Sequence, residues 1–456
     1  MNLPPASQSM MEKWSGRALS RMLLPLIVEQ TLAVTMGAAD TVMMSSVGEF
    51  AVSGVNIVDN INNLLIIAFV ALCTGGAVVT SQYIGRKDTK NAGLAAKQLI
   101  YAVTLISLVI MAVALLLRRP IIRLFYGALA PDVMEAAALY FLVTALSYPF
   151  LAIYSANAAL FRSVGNSGIT MKTAFLVNVI NVAGNAFLIF VCHLGVLGAA
   201  LSTLTSRLIA ALITLALLVR GQGRPLFIHG LFKLRVIRPM LRNILNVGIP
   251  SGLESSMFQI GRLLTQRIFP TFGTAAIAAN AIASIINSFS FMTGIAYGIA
   301  LLTIVGQCVG AGDYDAAKKQ TSRIMKLAYA TMGLISGLIL IFTDQVVGLF
   351  SLSGEARDLA KVFLQIHCVS MIFGWPMSFA LPNALRAAGD ARYVMIAATI
   401  SMWTIRVSAA YILTYWVGMG PVGVWLAMGG DFIGRGLSYF IRWKSGRWME
   451  QKVIRD

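Results

Sequence analysis

The sequence predicts an all-α polytopic membrane protein of twelve transmembrane helices, and three observations predict it. Hydrophobic residues make up 58% of the 456 positions, charged residues only 12%, and the mean hydropathy is +0.78. That composition leaves too little polar surface to cover a water-soluble chain of this size. Apolar runs of about 20 residues recur from end to end, the length at which a helix crosses the hydrocarbon layer. Gly and β-branched residues are scattered through these runs without the period-2 alternation of barrel strands.

In order, the expected spans are 18–44, 54–80, 97–117, 136–157, 168–191, 195–219, 245–270, 276–306, 324–343, 361–384, 393–417 and 421–441. The first follows a short amphipathic lead with Lys13, Arg17 and Arg21 and has no small-residue cleavage site. It reads as a retained helix, not a signal peptide.

A shift of 225 residues lays the first third of the chain on its second half. Arg17 then meets Arg242, Pro25 meets Pro250, Glu29 meets Glu254, Gly48 meets Gly273, Gly85 meets Gly310 and Asp88 meets Asp313. Further along, a shift of 224 matches Arg162 to Arg386, Gly165 to Gly389 and Met171 to Met395. The chain is a duplication. Six spans per copy is an even number, so the copies are parallel repeats around a central cleft. The expected divisions are an N-lobe bundle at 1–219, a basic cytoplasmic linker at 220–244, a C-lobe bundle at 245–441 and a basic cytoplasmic tail at 442–456. Gly221-Gln222-Gly223-Arg224-Pro225 should break the helix, and Phe227 to Met240 should form an interfacial helix.

Lys and Arg number 36 against 18 Asp and Glu, a net charge of +18. The basic residues gather in the central loop and in the tail (Arg442, Lys444, Arg447, Lys452, Arg455), the positive-inside pattern of a plasma (inner) membrane protein with both termini cytoplasmic. Attraction to anionic lipid, not to nucleic acid, explains them. Arg118, Arg119 and Arg123 are the exception, on the outer side of the third span. Cys73, Cys192, Cys308 and Cys368 lie in or at the ends of spans without metal-ligand spacing, and His193, His229 and His367 are scattered. With no nucleophile–base cluster either, the chain reads as a non-enzyme without cofactor.

The polar residues inside the spans carry the chemistry. Between Met22 and Ser46 only Glu29 and Asp40 are charged. A carboxylate at membrane depth costs about 2.5–3.5 kcal/mol or more unless paired, hydrated or protonated, which makes Asp40 a functional-site candidate. Asn178, Asn181 and Asn185 lie on one face of the fifth span, and Asn56, Asp59, Asn60 and Asn63 form a similar stripe on the second. Such amides must face protein or water, as interhelical ties or as ligands. In the second copy the matching positions are Thr265 for Asp40 and Met402, Ile405 and Ala409 for the three amides. The acid-plus-amide set is therefore confined to the first copy, where it can coordinate Na⁺ or carry a proton. Glu29 and Glu254, each four residues after a proline, either line the cleft and attract cationic substrate or fasten the start of the helix. Asp431, Arg207, Arg262, Arg267, Arg406 and Arg435 read as paired or snorkelling.

The paired Pro-x-x-x-Glu helices, the ends Gln82-Tyr83-Ile84-Gly85 and Gln307-Cys308-Val309-Gly310, and the loops Leu160-Phe161-Arg162-Ser163-Val164-Gly165-Asn166 and Ala384-Leu385-Arg386-Ala387-Ala388-Gly389-Asp390 carry a resemblance. Together they resemble the multidrug and toxic compound extrusion (MATE) family, over nearly the whole chain and in particular its prokaryotic, DinF-like branch. The resemblance implies a two-lobed antiporter that exports organic, often cationic, compounds against H⁺ or Na⁺. It places the essential acid at Asp40 and carries the N-lobe cation site onto Asn181 and Thr203, with Asn157 a looser match. Many relatives hold a second aspartate where this chain has Asn185. One formal negative charge in place of two weakens a Na⁺ site and favours H⁺ coupling. Gln259 stands near the acid that another branch keeps in its seventh helix, and the tenth span has no carboxylate, so a NorM-type C-lobe cation site is not implied. Glu29, Glu254, Asn178, Asn63 and Gln259 are the expected substrate-facing residues, on a monomer in contact with membrane lipid. The alternative on the same fold is a flippase for a lipid-linked saccharide or other amphiphile.

Overall fold

The apolar runs become helices throughout, and among the described residues there is no strand. The computed structural model describes residues 10–127, 129–221, 226–231, 233, 235–350, 352–451 and 453–454, with the side chains of Ala38 and Phe289 outside that description. In order come α1 Met10–Lys13, α2 Gly16–Ser45, α3 Glu49–Gly85, α4 Thr89–Tyr126, α5 Pro131–Leu146, α6 Tyr148–Ser163, α7 Ser167–Asn185, α8 Gly195–Val219 and α9 Arg238–Gln266. They are followed by α10 Gly273–Gly310, α11 Tyr314–Ile341, α12 Thr343–Gly348, α13 Gly354–Phe373, α14 Leu381–Ala388, α15 Ala391–Ser401, α16 Ser408–Tyr411 and α17 Val422–Lys444.

Each of the twelve expected stretches is mainly helical, with breaks at Ser147 in the fourth, after Gln266 in the seventh, at Phe342 in the ninth and at Gly374 in the tenth. Among the described residues, nine helices are long and apolar enough to cross a membrane, or eleven when two bent pairs are each taken as one span. The pairs bend by 50° between α5 and α6, and by 60° between α13 and Pro376–Ala388. Along α4, Leu105, Val109, Val113 and Leu116 stand exposed on one stripe, the face a lipid-contacting helix turns outward.

The chain divides into two units, Ser20–Gly248 and Ile249–Asp456, the second also taking in the start of the chain as far as Leu19. Trp14 accounts for part of that grouping, since its carbonyl accepts a 2.9 Å bond from Gln320 Nε2. The matched positions of the two copies turn out to be the punctuation of the helices. Asp88 caps α4 by accepting from Asn91 N at 3.0 Å, and Asp313 caps α11 by accepting from Ala316 N at 2.9 Å. Gly48 and Gly273, and Gly165 and Gly389, all sit at positive φ, where a side chain would be strained.

The offset between the copies changes from 224 at Met171/Met395 to 225 further on. A Cβ on Gly198 would meet the carbonyl carbon of Leu188 at 3.0 Å, and one on Gly423 that of Leu413 at 2.9 Å, both pairs 225 apart. The second copy absorbs the added residue in a π turn, Met402–Val407, the usual way a helix accommodates a single insertion. This moves the register inside the turn: Ile405 and Arg406 flank the position that Asn181 holds in the first copy.

Segment 227–240 departs from the expected interfacial helix. Residues 227–231, 233 and 235–237 are not helical, and α9 begins at Arg238. Side chains of α4 take up the backbone groups that a helix would have used. Lys97 Nζ donates to the carbonyls of Gly230 and Lys233 at 2.6 and 2.8 Å, and Tyr101 Oη to that of Leu231 at 2.6 Å. Gln98 donates to the Arg235 carbonyl at 2.7 Å and accepts from Ile237 N at 3.0 Å. The basic segment is thus held on the first unit, which contains it. Gln222 to Pro225 of the expected helix break, and Lys452 and Arg455 of the tail, lie outside the described residues.

Candidate functional site

Two helices of the first unit bring the acid and the amides together. Asp40, five residues before the end of α2, accepts a 2.6 Å hydrogen bond on Oδ1 from Asn185 Nδ2 at the end of α7. One turn back on α7, Asn181 Oδ1 lies 3.5 Å from Asn185 Nδ2, and Asn181 Nδ2 lies 3.4 Å from Thr203 Oγ1 on α8. Ser202 Oγ donates to the Asn181 carbonyl at 2.7 Å. That approach is possible because residue 184 is glycine: a Cβ there would stand 2.5 Å from Ser202 Oγ. Asn181, Asn185 and Thr203 are buried, Asp40 half-buried. The Asn185 Oδ1 atom is buried with no hydrogen-bond partner.

The other expected residues are distributed differently. Asn178 Nδ2 donates to the Leu32 carbonyl at 2.8 Å, an interhelical tie between α7 and α2. Asn157, fully buried, donates to Thr214 Oγ1 at 3.0 Å and so belongs to an α6–α8 contact instead. Asn63 is exposed; its neighbour Asn62 is buried and accepts from Tyr148 Oη at 2.7 Å. Gln259, half-buried on α9, falls in the other unit.

Both glutamates are engaged inside their own units. Glu29 takes Arg162 Nη1 at 2.9 Å and Thr170 Oγ1 at 2.6 Å, and Glu254 takes Arg386 Nη2 at 2.7 and 2.6 Å on its two oxygens. The matched glutamates thus hold the matched arginines. Of the two roles left open for them, this geometry suits fastening, at the middle of each Pro-containing helix and not at its start: it ties that turn to the last turn of a helix more than a hundred residues away.

Three groups beside Asp40 lie outside the expected site residues: Asp59, expected only as part of the second span's stripe, Arg207, expected as paired or snorkelling, and Tyr140, which the sequence does not single out. Asp59 of α3 and Arg207 of α8 both lie within electrostatic reach of it, with Arg207 also facing Asp59. Tyr140 of α5 lies against Asp59 and Thr203. Arg207 Nη1 further donates to Ser147 Oγ at 2.7 Å in the bend between α5 and α6. The formal charge of Asp40, Asp59 and Arg207 together is one negative. Two carboxylates and a guanidinium with one net negative charge, among amide, hydroxyl and phenol oxygens, can hold one small cation or one proton.

Known proteins resemble this chain over nearly its whole length. The family model MatE matches twice, at residues 25–187 and 250–412. An uncharacterized transporter, YisQ, of Bacillus subtilis (strain 168) is 29% identical over 443 residues, covering 95% of both chains. A probable multidrug resistance protein, NorM, of Thermotoga maritima is 25% identical, covering 96% of this chain and 94% of that one. Among solved structures, MATE in the straight conformation superposes with a TM-score of 0.86 at 20% identity over 94% of this chain and 95% of that one. A MOP-superfamily transporter from Pyrococcus furiosus Vc1 (DSM3638), described as having a binding pocket of reverse polarity, superposes with 0.87 at 20% identity, covering 96% and 97%. At that identity the likeness to both structures is one of fold.

Proposed function

This chain belongs to the MatE family, and from that premise we propose that it exports organic compounds across the membrane in exchange for a cation bound at Asp40. The observation that carries the reading is the 2.6 Å bond from Asn185 to Asp40, with Asn181 and Thr203 behind it. In exchange, the cation and the cargo must exclude one another. An acid that is charged when empty and neutral when loaded supplies a difference between two states of the first bundle, as a coupled transporter requires. The multidrug relatives support drug-like cargo.

The coupling cation in this reading is H⁺ in preference to Na⁺. A permanent Na⁺ site gains from each additional negative charge close to it. Here Asn185 contributes a dipole where a second carboxylate would contribute a charge, and the charge of Asp59 is offset by Arg207. Purified protein in liposomes tests the reading, with cargo efflux driven separately by a proton gradient and by a sodium gradient. Efflux under the proton gradient and little under sodium is expected. Equal efflux with no gradient would remove the exchange mechanism, and efflux under sodium alone would reverse the choice of ion.

A further inference from the structure

The second unit has a polar centre of its own, with the opposite sign. Arg406 in the π turn, Arg435 on α17 and Asp431 one turn before it are 7%, 2% and 0% exposed. Guanidinium groups stay protonated in proteins, so this buried group carries two positive charges and one negative. Arg262 adds a further positive charge within electrostatic reach of Arg406. Glu254, the next acid, has both oxygens on Arg386. Excess charge at membrane depth is costly unless an opposite charge meets it.

The geometry of the group is open. Asp431 Oδ2 lies 3.5 Å from Arg435 Nη2 and 3.8 Å from Arg406 Nη1, and none of these three atoms makes a hydrogen bond. The Glu254–Arg386 pair of the same unit closes to 2.6 and 2.7 Å. A triad serving only to lock helices together would be expected to close in the same way. The outer atoms are anchored instead: Ser401 Oγ donates to Asp431 Oδ1 at 2.6 Å, and Arg435 Nε donates to Ser378 Oγ at 2.8 Å. What remains are Arg406 Nη1 and Arg435 Nη2, both buried near the same Asp431 oxygen and without a hydrogen-bond acceptor.

Around that region stand aromatic rings. Arg435 lies 4.4 Å from the centroid of Phe379, and Arg406 lies 5.2 Å from that of Phe258, both rings half-buried. The π turn puts Arg406 here by adding one residue to a copy that otherwise keeps its register, and such turns recur at functional sites.

We propose that Arg406 and Arg435 form a binding site for the carboxylate of a planar aromatic compound, with Phe258 and Phe379 facing its ring and Asp431 competing for the two guanidiniums. The proposal deepens the export reading, on which it rests, by naming a cargo class that carries an anionic group. Paired guanidiniums suit a carboxylate because each presents two parallel N–H groups to its two oxygens.

Equilibrium dialysis of full-length protein in phosphatidylcholine nanodiscs tests it, with 1-naphthoate as probe and 1-naphthylmethylammonium as its cationic counterpart. Wild type is expected to bind naphthoate saturably and more tightly than the ammonium. Arg406→Gln and Arg435→Gln should each weaken naphthoate by about tenfold or more, the loss of a charged hydrogen bond. Asp431→Asn should tighten it, because the competing carboxylate is gone; a merely structural aspartate would give unchanged or weaker binding. Absence of saturable naphthoate binding by wild type, or Asp431→Asn binding no tighter than wild type, overturns the proposal. Efflux of tetraphenylphosphonium from wild-type liposomes separates the two readings. Efflux without naphthoate binding removes the anion site alone, and naphthoate binding without efflux removes the exchange reading alone.

Discussion

The two units share their scaffold and differ at their polar centres. Each carries Pro-x-x-x-Glu in the middle of a core helix, ties that glutamate to an arginine in the last turn of another helix, and caps a further helix with an aspartate. In the first unit the centre is an acid with amides and hydroxyls, Asp40, Asn185, Asn181 and Thr203. In the second, Thr265 stands in place of Asp40, with its hydroxyl bonded to the Arg262 carbonyl of its own helix at 2.9 Å. The charge there belongs to Arg406, Arg435 and Asp431. The comparison separates residues that hold a bundle together, which recur in both copies, from residues proposed to act on a ligand, which need appear in only one.

The comparison predicts its largest effect at the first pair. Asp40→Asn should reduce cargo efflux from liposomes by about a hundredfold or more, as loss of the coupling group, while Thr265→Val, in the matching place, should leave it within about twofold. Similar losses in both variants would mean that the centres are not functionally different. Next come the matched ion pairs. Glu29→Gln removes the carboxylate that faces Arg162 and Glu254→Gln the one that faces Arg386, each costing about 3 kcal/mol in thermal or denaturant unfolding, the cost of breaking a buried pair. If the pairs are fasteners, the double variant Glu29→Gln/Arg162→Gln should be less destabilised than the sum of the two single variants. Additive losses would break that assignment.

A smaller shift, of ion preference, is expected from Asn185→Asp. A second carboxylate next to Asp40 should raise sodium-driven efflux about tenfold relative to proton-driven efflux. An unchanged ratio in the two gradients would show that charge count does not select the ion. The least effect belongs to the caps. Asp88→Ala and Asp313→Ala should each cost about 1 kcal/mol of stability, equally in the two units, with no change in cargo or ion preference.

The helices, the duplication and the shared face of Asn181 and Asn185 are legible in the sequence because each is carried by spacing, whereas Thr203 follows only from the family resemblance. Asn181 and Asn185 share a helix face by periodicity, and Asp40 stands out because charge is rare in an apolar run. Asp59, Tyr140 and Arg207 come from three separate helices and meet only through packing, which no periodicity reports. The π turn at Met402–Val407 departs from the 3.6-residue repeat on which the face assignment relies; the reading of Arg406, Arg435 and Asp431 as paired holds, but which of them pair does not follow from spacing. The partners of Glu29 and Glu254 did leave a signal, since Arg162 and Arg386 recur in the same two copies as the glutamates they hold. The segment after Phe227 looked amphipathic enough for a helix, but its backbone is committed to Lys97, Gln98 and Tyr101 of α4.

The central claim is that cargo displaces a proton from Asp40, and proton release on cargo binding measures this directly. Purified protein in weakly buffered detergent solution, titrated with tetraphenylphosphonium beside a pH indicator, should release protons from wild type and none from Asp40→Asn. Equal release from both proteins would place the exchanged proton elsewhere and contradict the account.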